Sequence, residues 1–295
     1  MDCWLIRVRR ILFSHALILM LCAGTNGSAS LLAQSGKKIL LPGIETELAR
    51  KQIAIDLGDT SQTLTPLIRK AFSLHGGFRL SHPNESQYSI DFSAKGGNQV
   101  GITIRSGNSK DVVKALATGG DSIDDALLHG CDKVVNLLLK TPGFFAGKIS
   151  YLSNLSGYKE IFVSNSLMTT SRPNTSFKKI TFNASWGNKG QGIFFTSNRQ
   201  LFNNIFYLDL SSRKIRTIAN YRGSNLSAVQ NPRDSQLALI LSTTGNPEVW
   251  IAPTPSAKPK RLTKNKSNES GPCWSSDGRR LIVTSDSRGK PQLYE

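Results

Sequence analysis

Ile193-Phe-Phe-Thr196, Leu237-Ala-Leu-Ile240 and Leu281-Ile-Val-Thr284 are short apolar runs that start 44 residues apart, and Ile149-Ser-Tyr-Leu152 extends the series one step towards the N-terminus. Twelve residues after each start stands an aliphatic residue followed by an aromatic one: Ile161-Phe162, Ile205-Phe206, Val249-Trp250 and Leu293-Tyr294. The four copies align without a gap. A repeat of about 40–50 residues holding four short strands, a to d, is what a β-propeller blade requires. The apolar runs read as strand b, and the aliphatic-aromatic pairs as strand c. Strand b is apolar at nearly every position, as in Leu239-Ile240-Leu241, which suits a strand covered on both sides by neighbouring blades.

Turn chemistry agrees with this division. A tight polar turn precedes strand b at Trp274-Ser-Ser-Asp277-Gly278, Trp186-Gly-Asn-Lys-Gly190 and Asn231-Pro-Arg-Asp234. Asp-Gly supplies the positive φ that such a hairpin needs. Between strands b and c, glycine recurs at Gly157, Gly245 and Gly289. The outer strand d is expected to end at Lys179-Ile180-Thr181, Thr217-Ile218-Ala219 and Arg261-Leu262-Thr263. On this reading the first copy carries six extra residues before that strand and six fewer after it.

Upstream of the repeats, residues 1–29 read as a secretory signal. Arg7, Arg9 and Arg10 precede an apolar stretch at residues 11–23, shorter than the roughly 20 residues a spanning helix needs. Gly27-Ser28-Ala29 supplies a small-x-small cleavage pattern, so the mature chain is expected to be exported and not membrane-spanning. Only Cys131 and Cys273 survive cleavage, two isolated thiols rather than a disulfide framework.

Residues 30–143 read as a small α/β domain. Thr65-Pro66 is the expected N-cap and first-turn proline of a helix with Leu67, Ala71 and Leu74 at helical spacing, ended by Gly76-Gly77, with a start one turn earlier as the alternative. Alternation at Tyr88-Ser-Ile-Asp-Phe92 and Val100-Gly-Ile-Thr-Ile104 around Gly96-Gly97-Asn98 predicts a hairpin, with a third strand from Val112 to Leu116. Ser122 and Asp125 have capping-box spacing ahead of a second helix carrying Ile123, Leu127, Val134 and Leu138, with Cys131 near its apolar face and Thr141-Pro142-Gly143 at its end. One or two helices are expected over one face of a small sheet. Residues 144–295 then form an all-β propeller part of about three and a half blades.

The formal charge of +17 is uneven. Residues 147–295 hold 21 Lys and Arg against 8 Asp and Glu, whereas residues 30–146 hold 13 against 11. An exported basic surface favours acidic protein patches or anionic envelope polymers over nucleic acid. With strands in the order a to d, the b–c turns and the loops between blades share one face. That face gathers Lys159, Arg199, Arg222, Lys264, Lys266, Arg288 and Lys290, the candidate partner-binding residues. The opposite face gathers Arg213, Lys214, Lys258, Lys260, Arg279 and Arg280. The first is favoured because its longer loops can shape a recess.

Catalysis finds little to build on. His75, His82 and His129 have no metal-ligand spacing, there is no G-x-S-x-G elbow, and Gly119-Gly-Asp-Ser122 lacks the glycine spacing of a phosphate loop. Asp124-Asp125 suits a helix first turn. No enzyme activity, cofactor or metal is expected.

The repeat resembles that of the TolB family, whose W-S-x-D-G turn, strand b, G-x-x-x-aliphatic-aromatic segment and R-L-T end stand at Trp274-Ser-Ser-Asp-Gly-Arg-Arg-Leu-Ile-Val-Thr-Ser285, Gly289-Lys-Pro-Gln-Leu-Tyr294 and Arg261-Leu-Thr263. The order of signal, α/β domain and propeller matches as well. The resemblance implies a six-bladed propeller and a periplasmic, non-enzymatic role in the Tol-Pal envelope system. It implies binding to a Pal-like peptidoglycan-associated lipoprotein, contacts with TolA-like and outer-membrane proteins, and support of outer-membrane integrity and cell division. Six blades at this period need roughly 264 residues, so a C-terminally truncated, divergent member is expected. A second reading is the non-catalytic propeller part of an exported prolyl-oligopeptidase-like hydrolase.

Overall fold

The computed structural model describes residues 52–295, together with the backbone of a short pairing between β1 (Leu31–Leu32) and β2 (Lys38–Ile39). The expected secretory signal, residues 1–29, lies outside the described residues. Two compact units are present: Ile149–Ser164 with Ser171–Glu295 in one, and residues 52–148 with Asn165–Thr170 in the other.

The second unit is α/β. Its elements are β3 (Ile53–Asp56), a first helix (Thr65–Ser73), β4 (Phe78–Leu80), β5 (Tyr88–Ala94), β6 (Gln99–Ser106), β7 (Val112–Gly119) and a second helix (Ile123–Leu139). The sheet order is β4-β3-β5-β6-β7, with β3 parallel to both neighbours and the remaining pairs antiparallel. The hairpin stands where alternation predicts it. Ile90 faces Ile104 and Phe92 faces Ile102, all four buried, and Gly96 and Gly97 take φ of 90° and 57° in the turn. The helices touch each other, the first also packing on β4 and the second on β6 and β7.

β3 and β4 leave no trace in the sequence pattern. They are four and three residues long, and β3, between two parallel neighbours, is buried at three of its four positions, so no alternation can show.

The first helix departs from expectation at both ends. Leu64, not Thr65, occupies the cap without a side-chain bond, and Thr65 Oγ1 donates back to Ser61 O at 2.9 Å. Its buried face is Ile68, Ala71 and Phe72, while Leu74 is 65% exposed. Phe72 sets that rotation, because its ring meets Phe78 and Phe145 edge-to-face at 5.1 and 6.0 Å, a favourable quadrupole arrangement.

The second helix starts as its spacing predicts, with Ser122 Oγ accepting from Asp125 N at 3.2 Å. The reciprocal arm differs: Asp125 Oδ2 accepts from Asp121 N at 2.9 Å, one residue upstream of the cap. Replacing Ser122 by alanine is expected to lower this unit's stability by about 1 kcal/mol, and by glycine only a few tenths. Equal losses for the two in urea titrations would show that the cap oxygen is not the cause. The helix ends at Leu139 with Lys140 left-handed at φ 58°. Cys131 is fully buried and burial pushes its thiol pKa up, which leaves it unreactive.

Asn165–Thr170 completes this unit. Leu167 joins the core, Lys70 Nζ donates to Leu167 O at 2.8 Å, and Ser166 Oγ donates to Phe145 O at 2.5 Å. Phe145 is fully buried, and the Asp132 carboxylate holds it by accepting from Phe145 N at 2.6 Å and Ala146 N at 3.0 Å.

The other unit is a series of blades. β8 (Lys148–Ser153), β9 (Glu160–Asn165) and β10 (Ser171–Pro173) form the first sheet; β11 (Thr181–Trp186), β12 (Gly192–Gln200), β13 (Phe202–Asp209) and β14 (Ile215–Ala219) the second. β15 (Asn225–Gln230), β16 (Leu237–Leu241), β17 (Glu248–Ala252) and β18 (Lys260–Arg261) form the third; β19 (Glu269–Trp274), β20 (Leu281–Ser285) and β21 (Gln292–Tyr294) the fourth. Each sheet follows chain order, so each is an antiparallel up-and-down blade. Leu237 and Leu281 open β16 and β20, and β16 is buried at all five positions.

One outer strand is misplaced by the sequence reading. The first blade's strand d is Ser171–Pro173, not the segment ending at Thr181, which instead opens strand a of the next blade. Strand d thus stands 44 residues before Ile215 with no compensating shift.

Successive inner strands are stitched by side chains. Asn183 Nδ2 and Ser185 Oγ donate to Leu226 O and Ala228 O, each at 2.5 Å, and Trp274 Nε1 donates to Val229 O at 3.0 Å.

Candidate functional site

A buried polar layer lies beneath the face formed by the b–c turns and the loops between blades. Glu160, Asn204 and Glu248 recur at 44-residue steps near the start of strand c, where Glu160 and Glu248 open β9 and β17 and Asn204 is the third residue of β13, and all three are buried. In the first blade, Thr175 Oγ1 donates to Glu160 Oε2 at 2.5 Å and Lys178 N to Glu160 Oε1 at 2.9 Å. In the third, Thr263 Oγ1 donates to Glu248 Oε2, while Arg261 Nη2 (2.5 Å), Asn265 N (3.0 Å) and Asn246 Nδ2 (3.1 Å) donate to Oε1. Burial works to raise the Glu248 carboxyl, but these donors outweigh it and hold its pKa at about 2. The second blade has Asn204 and Ala219 at these places, and Asn225 pins the loop instead, its side chain bonding Tyr221 N and Tyr221 O at 3.0 and 2.9 Å. In each case an interior side chain fixes an inter-blade loop, so that loop is held by the core.

This layer also sets the charge. Of the eight carboxylates in residues 147–295, Glu160, Glu248 and Glu269 are buried here. Asp286, on a b–c turn, is occupied by Asn268 N and Nδ2 at 2.8 and 2.9 Å. Asp209 closes β13 at the opposite face and Asp234 and Asp277 lie in its turns, where Asp277 Oδ1 accepts from Arg279 N at 3.1 Å and Glu295 pairs with Arg280 at 3.3 Å. Arg213 is held on Asn174, and Lys260 lies in strand β18 rather than a turn.

All seven candidate residues, Lys159, Arg199, Arg222, Lys264, Lys266, Arg288 and Lys290, are exposed. Lys264, Lys266, Arg288 and Lys290 make one group, Lys159 and Arg199 a second, and Arg222 stands apart. Lys264 and Lys266 flank Asn265, whose loop meets the Arg288 turn through Asn268 and Asp286. Lys159 lies in a concavity of about 380 Å³ with Tyr158, Lys178, Lys179, Ile180 and Asn198, and Arg199 lies over the Phe177 and Phe206 rings at 4.3 and 5.5 Å. Arg222 stands on the loop between the second and third blades.

The sequence reading missed Lys178 and Lys179, having placed them next to an outer strand's end. The signal was available: Glu160 and Thr175 stand 88 residues before Glu248 and Thr263, which marks residues 174–180 as an inter-blade loop.

The α/β unit has a concavity of about 460 Å³ beyond the ends of β3 and β4, lined by Asp56, Thr65, Arg69 and His82 among others. Asp56 is saturated there by Ser86 Oγ (2.6 Å), Ser89 Oγ (2.9 Å) and Gly58 N (2.8 Å). Among the described residues no group of three or more His, Cys, Asp or Glu is placed to hold a metal ion, and no helix is long and apolar enough to cross a membrane.

Comparison with known proteins converges on one family. The Tol-Pal system protein TolB of Desulfosudis oleivorans is 27% identical over 135 residues, covering 46% of this chain and 31% of that protein. The protein TolB homolog of Chlorobium chlorochromatii is 23% identical over 280 residues, covering 92% of this chain and 61% of its own length. The chain thus spans less than two thirds of these relatives. The crystal structure of TolB from Acinetobacter baumannii superposes with a TM-score of 0.70 at 18% identity, over 83% of this chain and 68% of that one, and so shares the fold. The TolB beta propeller domain matches residues 135–295, more than half of the chain, and the protein belongs to the TolB β-propeller family.

Proposed function

We propose that the protein is a non-enzymatic scaffold of a Tol-Pal envelope system, exported to the periplasm, that docks a Pal-like lipoprotein on the face of the b–c turns and inter-blade loops. Contacts with TolA-like and outer-membrane proteins, and a part in outer-membrane integrity and cell division, go with that reading. One observation carries it: three of the acids behind the favoured face, Glu160, Glu248 and Glu269, are buried and Asp286 is half-buried beside its exposed cations, whereas the opposite turns place the exposed acids Asp234, Asp277 and Glu295 beside theirs. A face with net positive charge raises the association rate with an acidic partner in a salt-dependent way.

Charge reversal of Lys264 and Lys266 together is expected to weaken binding of the soluble domain of a Pal-like lipoprotein about tenfold or more, mostly through the on-rate. Reversal of Arg279 and Arg280 is expected to leave it nearly unchanged. Surface plasmon resonance at two salt concentrations checks both, and the opposite ranking would place the partner on the other face.

A further inference from the structure

The repeat puts glycine at the tip of the b–c turn in three blades, Gly157, Gly245 and Gly289, with φ of 86°, 114° and 85°. The second blade has Leu201 at that position, with φ 80°. A leucine in this region is a conformational outlier, where glycine is free of strain. Nothing in the fold rewards it, because Leu201 is 80% exposed and the following Phe202 67% exposed. The hairpin that carries them is built from the long strands β12 and β13, closed by pairing of Gln200 with Phe202. It is an apolar tip exposed to solvent.

Its surroundings name the occupant. Leu155 is 71% exposed on the preceding b–c turn, and Tyr158, Ile180 and Tyr221 are exposed on adjoining loops. Residues 154–159, 174–180, 198–203 and 220–224 contain Lys159, Lys178, Lys179, Arg199 and Arg222 and neither Asp nor Glu. Three of these lysines line the concavity beside Tyr158 and Ile180, which suits a phosphate with an aliphatic neighbour. A protein partner engages aromatic anchors through a packed, water-excluding pocket. Isolated apolar tips on several turns, ringed by lysines, instead match the boundary between acyl chains and anionic headgroups, which takes each tip without a fitted cavity.

We propose that the quadrant of the first and second blades docks on an anionic lipid surface, Leu201 and Phe202 entering the acyl boundary while Lys159, Lys178 and Lys179 meet headgroup phosphates. The inference goes beyond lipoprotein docking and does not require it.

The test is co-sedimentation of the protein with phosphatidylcholine vesicles, with and without phosphatidylglycerol, in the absence of any other protein. Binding is expected only with the anionic lipid, weakening with salt. The Leu201→Gly, Phe202→Ser double variant should lose about tenfold or more in partitioning, and a single Leu201→Gly variant should lose binding while melting at a higher temperature than the parent. Phosphatidylcholine binding as strong as phosphatidylglycerol binding, no binding to either, or a double variant that binds like the parent overturns the proposal. So does loss of lipoprotein binding in the double variant without any change on vesicles, which would make the tip a protein anchor. Failure of the Lys264 and Lys266 reversal to affect lipoprotein binding bears only on the docking function.

Discussion

Replacing Glu248 by alanine is expected to lower the propeller's unfolding free energy by about 3–5 kcal/mol. The substitution removes the acceptor shared by four donors, Arg261, Thr263, Asn246 and the backbone of Asn265, and leaves Arg261 Nη2 and Asn265 N without it in a place where Glu248 itself has no exposed surface. Glutamine keeps the shape but offers one acceptor oxygen in place of two, so its loss should be smaller. The effect depends on pH with a definite sign. Glu248 has a folded pKa of about 2 against an ordinary 4.5, so its ionisation contributes about 3 kcal/mol of stability. That contribution is fully present above the ordinary value and is lost as pH falls through the folded one. Urea titrations of the parent and the glutamine variant at neutral pH and at about pH 3 should therefore show the gap between them narrowing in acid. A gap that stays constant would mean the hydrogen bonds do not depend on the charge.

A second large loss is expected from Phe195→Ala, about 3–5 kcal/mol, because the site cannot collapse. Phe195 is 1% exposed on β12, its ring stacked with Phe177 at 5.8 Å and Phe206 at 5.6 Å, among Ile161, Ile193 and Leu208. Strands on both sides are fixed in their own sheets, so a cavity remains. Leucine should recover most of the stability. Arg199 rests over two of these same rings, so the alanine variant should also loosen that guanidinium. Chemical denaturation gives the first effect, and broadening of the Arg199 side-chain resonance in NMR the second. A loss below about 1 kcal/mol would show that the neighbours close the gap.

The repeats were legible because strand b is buried on both faces and recurs at an unbroken period, so Leu237 and Leu281 mark strand starts directly. The misplaced outer strand has a specific cause. Lys179-Ile180-Thr181 looks like Arg261-Leu262-Thr263, yet what defines the end of strand d is a threonine that reaches the glutamate of strand c, and Thr175 does so. Side-chain pairing, not local composition, set the boundary. In the α/β unit the long hairpin and the second helix carried clear patterns, whereas the first helix turned by the demands of an aromatic cluster that no local pattern encodes. At the candidate face the charged residues could be found from topology alone. The apolar tip could not, because a lone leucine in a polar turn means little until its backbone is known to be left-handed.

The stitches between inner strands make the blades non-interchangeable parts. Asn183, Ser227 and Gly271 occupy one repeat position, yet only asparagine has the amide that reaches the next blade's carbonyl. Likewise Trp186, Gln230 and Trp274 share a position, and Trp274 gives a hydrogen to Val229 O where Gln230 takes one from Asn188 N at 2.9 Å. A blade moved one place along the chain would meet a neighbour with the wrong donors. The array is therefore a sentence with a fixed word order, and a graft or shuffling of blades would have to carry each joint's donor and acceptor together.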